Sequence, residues 1–371
     1  MRALQIFAGP RALARMRECG LSPADIRAIP AAAGGPKGLT LLPLDRFIFG
    51  EWLPQSTQAV DLIGASIGAW RMATAMLDDP VAAFNELEIA YIEQDFDFPA
   101  GGKLPPRAHL SARFAESVET MFAARLPQVL AHPRYRLHVM TSRGRHLLGR
   151  DHRVRTPLGY GGAFLSNIVA RKAMGAWLER AVFSSHSSAL PLPFATHDYR
   201  TRRYGLSAIN FATVLQASCS IPFVLNAVHD IPGAAHGAYW DGGITDYHLH
   251  LDYRQHDAAL ETNASLSSPQ LVLYPHFQRA VVPGWLDKSL KWRHRATHFL
   301  DDVIVLAPRA GWIATLPNHK LPDRSDFARY GRDYGARVKA WQTAVTESER
   351  LRDEFAEWVG AGADASAVAA L

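Results

Sequence analysis

The feature that most constrains the fold of this chain is a serine between two glycines, placed directly after a short apolar run. Gly64 and Gly68 bracket Ser66 in a G-x-S-x-G pattern, and residues 60–63 before it are mostly apolar. Residues 67–77 then have the composition of a helix. A strand, a sharp turn and a helix are the context in which this pattern marks a nucleophile elbow. The pattern also fits an ordinary turn with an N-capping serine, so at this point catalysis and structure are both open.

The composition is that of an ordinary globular protein. The chain has 371 residues, 48% hydrophobic and 20% charged, which fits two domains or one large α/β unit. A net charge of +5 without a zinc-finger or RNA-binding pattern argues against a nucleic-acid partner. The longest uncharged run, residues 205–228, carries too many polar side chains for a membrane span. Because only Cys19 and Cys219 are present, we expect reduced thiols and a soluble cytoplasmic protein.

A second glycine-rich turn lies upstream of the elbow. Residues 26–33 are strand-like and lead into the sequence GGPKG at residues 34–38, after which residues 39–53 are predicted to be helical. Such a turn presents backbone N–H groups to an anion. It is not a Walker A loop, because Lys37 precedes the last glycine and no serine or threonine follows it. A plain βα turn is the alternative, but acyl transfer needs an oxyanion hole as well as a nucleophile.

Two further patterns follow the elbow. The sequence ASCSIP occupies residues 217–222, at the end of a helix predicted over residues 211–218. The sequence WDGG at residues 240–243 places Asp241 at the end of a predicted strand, with two glycines behind it. This second pattern is either a hairpin turn or a carboxylate held at a strand end with little bulk beside it.

Taken in this order, the glycine-rich turn, GASIG, ASCSIP and DGG resemble the motifs of the patatin-like phospholipase family, over about residues 26–250. The resemblance implies a three-layer α/β/α sandwich with a central, mostly parallel sheet. It also implies a lipid acyl hydrolase of phospholipase A or lysophospholipase type, with Ser66 and Asp241 as a catalytic dyad and neither cofactor nor metal. The chain departs from the family pattern at Ala33, where a glycine is usual, and after Asp246, where tyrosine and histidine follow.

We expect the acyl-hydrolase domain to cover residues 1–320. Apolar residues between positions 327 and 358 recur at three- and four-residue steps, which predicts an amphipathic helix. Residues 321–371 are therefore expected to form a helical extension that ends in a frayed, flexible tail. Other predicted elements are a helix over residues 166–183, strands over residues 271–274 and 303–307, and a Gly/Pro-rich connector over residues 99–106.

The mechanism that we expect has the Ser66 hydroxyl attack an ester carbonyl while Asp241 takes its proton. The N–H groups of Gly34, Gly35 and Ile67 then hold the oxyanion. Water activated by the same carboxylate releases the acyl group. We assign Lys37 to substrate binding, where its charge attracts an anionic head group.

Histidine is the main alternative to aspartate as the base, because its pKa lies nearer neutral pH. The chain has 16 histidines, and the candidates that follow the serine are His248, His250, His276, His298 and His319. The motif order favours the dyad over these residues. His248 and His250 could face the same way from a strand, but no third metal ligand stands at a suitable spacing. A thioesterase or peptidase that uses the same serine, and a lipid-binding protein without activity, are further alternatives.

Residues 281–295 suggest a route to the substrate. This segment interleaves two tryptophans with four basic residues, which are Trp285, Trp292, Lys288, Lys291, Arg293 and Arg295. Tryptophan and cations both favour the surface of an anionic membrane. Core positions for the tryptophans are the more ordinary interpretation. The expected partner is thus a lipid or another acyl ester, with peripheral contact to an anionic membrane as a further hypothesis; the sequence does not indicate an oligomeric state.

Overall fold

The computed structural model describes residues 2–95, 106–186, 190–255 and 271–371, and it is built on a mixed, mostly parallel sheet flanked by helices. The strands in these ranges are β1 (Leu4–Ala8), β2 (Ile26–Ala31), β3 (Val60–Ala65), β4 (Tyr135–Gly144), β5 (Leu178–Ser184), β6 (Thr201–Gly205), β7 (Val228–His229), β8 (Ala238–Asp241), β9 (Leu271–Pro275), β10 (Val303–Pro308) and β11 (Ala369–Ala370). The helices are α1 (Pro10–Cys19), α2 (Leu42–Phe47), α3 (Ile67–Thr74), α4 (Pro80–Ile92), α5 (Arg107–Phe122), α6 (Leu126–Leu130), α7 (Arg155–Val169), α8 (Phe211–Cys219), α9 (Ala310–Ile313), α10 (Ser325–Tyr330) and α11 (Tyr334–Gly360). The strand order is β11-β1-β10-β9-β2-β3-β4-β5-β6, and β8 pairs with β4 and β7.

The strands at the centre of the sheet are covered on both faces. Every residue of β2 and of β3 is buried, which is why these strands read as nearly continuous apolar runs. β2 runs parallel to β3 and to β9, and β3 runs parallel to β4. In such sheets ligands bind beyond the carboxyl ends of the strands. The glycine-rich turn follows β2 and the serine follows β3, so both lie at that edge.

Two strands of opposite direction share one edge of β4, and their carboxyl ends meet there. β3 pairs with β4 as far as Ala65, which lies opposite Met140. β8 is antiparallel and takes the next positions, with Asp241 opposite Thr141. The other edge of β4 is occupied by β5. The topology therefore brings Ser66, which directly follows β3, to the end of β8.

Most predicted elements are confirmed to within a few residues, but the helix over residues 166–183 is wrong. α7 ends at Val169, and Leu178–Ser184 is strand β5. Every residue of β5 is buried, so the strand shows no alternation of apolar and polar side chains. Periodicity cannot separate such a strand from a buried helix. The helix predicted over residues 39–53 is also broken, into a 3₁₀ turn, α2 and a π turn.

The C-terminal part contains the predicted helix, but its end is not frayed. α11 buries Trp341, Leu351 and Phe355 on one face and packs against α2. Beyond it, β11 pairs in parallel with β1, and the N–H of Leu371 donates to the carbonyl of Ala8 at 2.9 Å. The expectation of a flexible tail is therefore corrected, because backbone pairing holds the last residues at the sheet edge. The boundary at residue 320 stays a prediction, and residues 99–105 of the predicted connector lie outside the described ranges.

Candidate active site

Ser66 lies in a tight turn that its flanking glycines make possible. Its φ of 56° and ψ of −128° fall in a region that side-chain-bearing residues seldom adopt. A Cβ on Gly64 would lie 2.4 Å from the Cα of Ala69, and one on Gly68 would lie 1.9 Å from the carbonyl oxygen of Ala31. Only glycine fits at both positions, so α3 can start directly against β2. The predicted context of strand, sharp turn and helix is thus confirmed.

The close approach at Gly68 leads to a prediction about stability. We expect Gly68→Ala to lower the free energy of unfolding by about 1–3 kcal/mol, because the added methyl group forces the backbone of β2 and α3 apart. The matched control is Gly161→Ala in α7, where a Cβ meets no atom within 4 Å. That change should raise the free energy of unfolding by about 0.5–1 kcal/mol, since alanine is the better helix former. Chemical denaturation measures both, and equal effects would contradict the packing argument.

Ser66 and Asp241 are both buried, and the serine hydroxyl lies close enough to the Asp241 carboxyl group to act as a donor that lowers its pKa. Burial raises the pKa of Asp241, while the charge of Arg324 and the hydrogen bond from the serine oppose part of that rise. The Oδ1 atom of Asp241 also accepts the N–H of Gly243 at 2.7 Å. A carboxylate with a raised pKa is a stronger base, which abstraction of a serine proton requires.

The ASCSIP motif fixes the positions of Ser66 and Asp241 relative to each other. The N–H of Ser66 donates to the hydroxyl of Ser218 at 2.9 Å, and that hydroxyl donates to the carbonyl of Met140 at 2.7 Å. The N–H of Asp241 donates to the carbonyl of Ser220 at 2.9 Å. One short segment therefore fixes the backbone of both residues. The sequence showed this motif, but not its role, because each of these bonds joins distant parts of the chain.

The glycine-rich turn lies beside the serine. Gly35 has a φ of 58°, and a Cβ on Gly34 would lie 2.6 Å from the ring of Phe277, so both positions favour glycine. Among the hydrogen bonds of the described ranges, none uses the N–H of Gly34, Gly35 or Ile67. Gly35, Ser66 and Ile67 also line one cavity. These N–H groups are thus available to an anion that forms next to the serine hydroxyl.

Two cavities meet at the Ser66–Asp241 pair. The first has a volume of about 350 Å³. It contains Ser66, and its other walls are mainly apolar, from Trp70, Tyr91, Leu110, Phe114, Val224, Leu225 and Phe327. The second has a volume of about 260 Å³ and is lined by Asp241, Asp323 and three cations. Ile221 and Arg324 line both cavities. A molecule with an apolar chain and a polar end would match the two cavities in that order.

The three cations of the second cavity are Lys37, Lys288 and Arg324. Within the described ranges, none of them forms an ion pair shorter than 4.0 Å. The ammonium group of Lys288 lies 4.2 Å from the centre of the Tyr247 ring, and that of Lys37 lies 5.0 Å from the Phe277 ring. Lys288 is an exposed residue, yet partial desolvation and the neighbouring cations Lys37 and Arg324 lower its pKa to about 8. Burial also lowers the pKa of Lys37.

The sequence predicted a substrate-binding role for Lys37, which stays a prediction, and it did not indicate that Lys288 and Arg324 line the same cavity. Lys288 carried no signal for this site, because its segment suggested a membrane surface. Arg324 lies in a part of the chain that has no family motif. Chain folding alone brings both of them to the cavity.

The histidines that were candidate bases have their contacts elsewhere. His248 and His250 are buried, and burial lowers the pKa of both, to about 4 for His250. The Nδ1 atom of His248 accepts the N–H of Val282 at 3.0 Å, and Nε2 of His250 lies 3.0 Å from the hydroxyl of Thr297. The other candidates also contact parts of the chain away from the serine, and they are His276, His298 and His319. The described ranges hold no cluster of three His, Cys, Asp or Glu side chains suited to a metal.

Comparison with known proteins agrees with this geometry. The model of the patatin-like phospholipase family matches residues 54–248, which is more than half of the chain and includes both Ser66 and Asp241. The chain therefore belongs to the patatin-like phospholipase family. Membership indicates, in general terms, a hydrolase of lipid esters. The matched range leaves out the glycine-rich turn and the segments that carry Lys288 and Arg324. A search of curated proteins found no match to the chain.

Proposed function

We propose that this protein is a lipid acyl hydrolase, of phospholipase A or lysophospholipase type, that cleaves carboxylic esters through a Ser66–Asp241 dyad. The observation that carries the proposal is the placement of the serine beside a buried carboxyl group of raised pKa, with the backbones of both residues held by the segment at residues 217–222. Its position at the junction of an apolar and a cationic cavity supports a lipid substrate. An acyl chain would lie in the first cavity and the polar part of the lipid in the second.

The proposed reaction has two halves joined by an acyl-enzyme. In the first half Asp241 takes the proton of Ser66 as its Oγ atom attacks the ester carbonyl, and the N–H groups of Gly34, Gly35 and Ile67 bind the oxyanion. The tetrahedral intermediate then expels the alcohol, which receives the proton from the carboxyl group. In the second half the same carboxylate deprotonates a water that attacks the acyl-enzyme, and the proton returns to the serine oxygen as the fatty acid leaves.

A direct comparison of substrates tests the class of reaction. Ester, thioester and peptide substrates with the same acyl group should be offered to the purified full chain in parallel. We expect the ester to have the highest kcat/KM. A preference for the thioester or the peptide would replace the proposed activity by one of the other two, and turnover of none of them would leave a lipid-binding protein.

We further propose that the polar part of the substrate carries a negative charge, which Lys37, Lys288 and Arg324 recognise. These three cations repel one another across a small cavity, and the two carboxyl groups that also line it, Asp241 and Asp323, form no close ion pair with any of them. An anion between them would relieve that repulsion and gain charge-assisted hydrogen bonds. A phosphate monoester or diester close to the acyl ester fits this requirement.

The charge preference can be measured with two soluble short-chain esters, a monoacylglycerol and its phosphate. For Lys288→Gln/Arg324→Gln we expect the ratio of kcat/KM for the phosphate ester to that for the neutral ester to fall about tenfold, or about 1.4 kcal/mol. The ratio is the right quantity because Arg324 also acts on the pKa of Asp241, and that effect is common to both substrates. The control is Arg17→Gln/Lys339→Gln, two exposed charges on α1 and α11. An unchanged ratio in the first variant would contradict the assignment.

We propose that the protein acts in the cytoplasm and meets its substrate at a membrane surface. The two cysteines support a reducing compartment, because neither forms a disulfide and Cys219 is buried. Lipid esters are concentrated in membranes, so the protein needs some means of reaching the bilayer.

A further inference from the structure

One face of α7 exposes large apolar side chains to water. The exposed fraction is 63% for Leu158, 65% for Leu165 and 84% for Val169. Val154, immediately before the helix, and Ile168 are also exposed. At 3.6 residues per turn these five side chains fall within an arc of roughly 100°. They lie along one face of the helix as a stripe, with Gly161 between Leu158 and Leu165, and are not scattered over the surface.

The opposite side of the same helix is an ordinary core face. Thr156, Tyr160, Ala163 and Asn167 are buried, and Tyr160 packs edge-on against Trp240 with ring centres 6.0 Å apart. The helix is therefore already anchored to the protein without its exposed stripe. The stripe does not serve the fold, and leaving it in water is unfavourable.

The surroundings of the stripe are cationic. No acidic residue occurs between positions 152 and 178. Arg153 and Arg155 are exposed at the start of α7, and Lys172 is exposed just beyond its end. A stripe of large apolar side chains with exposed basic residues at both ends is complementary to a lipid bilayer that carries anionic head groups.

A tryptophan stands at the carboxyl end of the stripe. Trp292 is 63% exposed, and its neighbour Arg293 donates hydrogen bonds to the carbonyl of Ile168 at 3.3 Å and to the Oδ1 atom of Asn167 at 3.0 Å. Tryptophan is the side chain that most favours the interface between water and lipid head groups. The bonds of Arg293 bring Trp292 close to the carboxyl end of α7.

The structure corrects the idea that residues 281–295 as a whole form a membrane surface. Arg293 is ion-paired at 2.9 Å with Asp287, which is buried, and Lys288 lies at the cationic cavity. Trp285 is only partly exposed, and it packs against the cluster that includes Tyr160 of α7 while lining the same cavity. The exposed residues of this segment are Lys288 at the cationic cavity, its neighbour Ser289, and Lys291, Trp292 and Arg295 further along. Trp285 in turn links α7 to the candidate active site.

We propose that the α7 face, defined as Val154, Leu158, Leu165, Ile168, Val169 and Trp292, docks on the surface of an anionic lipid bilayer. The helix would lie in the plane of the head groups, with its stripe in the acyl region and its basic ends on lipid phosphates. No helix in the described ranges has the length and apolarity to cross a bilayer, so the contact is made from one side. The inference goes beyond the proposed hydrolase activity, because docking requires no turnover.

The test is co-sedimentation of the full chain with vesicles of phosphatidylglycerol and phosphatidylcholine, in the Ser66→Ala background so that the lipids stay intact. For Leu158→Gln/Leu165→Gln we expect the partition coefficient to fall at least tenfold. The matched control is Val81→Gln/Ile89→Gln, which removes two exposed apolar side chains from α4. For Arg153→Gln/Arg155→Gln/Lys172→Gln we expect a similar fall in the partition coefficient. Added salt should also weaken vesicle binding by protein that keeps the wild-type α7 face.

The proposal would be overturned if the α7 variants had the same partition coefficient as the wild type. It would also be overturned if the α4 control lost as much binding as the α7 variants. Binding to pure phosphatidylcholine that matches binding to the anionic vesicles would also overturn it, since the charges would then have no role. Size-exclusion chromatography tests the alternative that a second copy of the chain packs on this face. A dimer that Leu158→Gln/Leu165→Gln converts to a monomer, without any vesicle binding, would assign the face to a second copy of the chain instead.

Discussion

Ser66→Ala is expected to abolish ester hydrolysis while leaving the fold unchanged. The substitution removes one hydroxyl, and the backbone bond from residue 66 to Ser218 does not depend on that side chain. Loss of the nucleophile should lower kcat by at least about 10⁴-fold, because only the oxyanion site and substrate binding are left to act. Steady-state hydrolysis of a soluble ester measures the effect, and the thermal midpoint serves as the control for folding. Wild-type turnover in a folded variant would contradict the assignment of the nucleophile.

Asp241→Asn is expected to have the second largest effect. The amide keeps the shape of the side chain and its bond from the N–H of Gly243, but it cannot take a proton. We expect kcat/KM to fall by about 10²- to 10⁴-fold, the usual contribution of a general base. Burial raises the pKa of Asp241, so the folded state holds that proton more tightly than the unfolded state does. Ionisation at neutral pH therefore opposes folding, and the amide variant should unfold at a temperature no lower than the wild type.

The same raised pKa fixes the direction of the pH dependence. The carboxylate must be ionised to act as a base, so activity should fall on the acid side as pH drops through its pKa.

If one of the buried histidines were the base instead, its variant would be as inactive as Ser66→Ala. His248→Asn and His250→Gln preserve the hydrogen bonds that those rings make, and we expect each to keep activity within about tenfold of wild type. A folded histidine variant without activity would replace the dyad by a triad.

The sequence was sufficient where the constraint is local. The turn at Ser66 needs glycine on both sides within five residues. The close packing at these two glycines in the structure is the reason for the pattern that the sequence shows. The parallel central strands were visible as apolar runs, and the C-terminal helix as a three- and four-residue period. In each case the residues that specify the element lie next to one another in the chain.

The sequence was insufficient where the constraint comes from pairing at a distance. Strand β5 is buried on both sides by other elements, and its own residues show no period that would distinguish it from a helix. The meeting of β3 and β8 at one edge of β4 depends on the register of three strands. Lys288 and Arg324 reach the cationic cavity only through the path of the chain, so nothing near them in the sequence indicates the site.

The α7 face shows a different reason for a missed feature. Only Ile168 and Val169 of this face fell inside the helix predicted over residues 166–183, and amphipathic periodicity does not say whether an apolar stripe faces the core or water. The burial of Tyr160 and Asn167 on the opposite side decides this, because it shows which face of the helix is already covered. The exposed stripe is visible only in three dimensions.

The central claim is that Ser66 is an activated nucleophile. Its most direct test is reaction of the purified full chain with a fluorophosphonate, followed by mass spectrometry of the labelled peptide, since this probe reports an activated serine without knowledge of the substrate. We predict that wild-type protein is labelled on Ser66, that Asp241→Asn is labelled far more slowly, and that Ser66→Ala is not labelled at all. Labelling of another serine, or equal labelling of wild type and Ser66→Ala, would contradict the account.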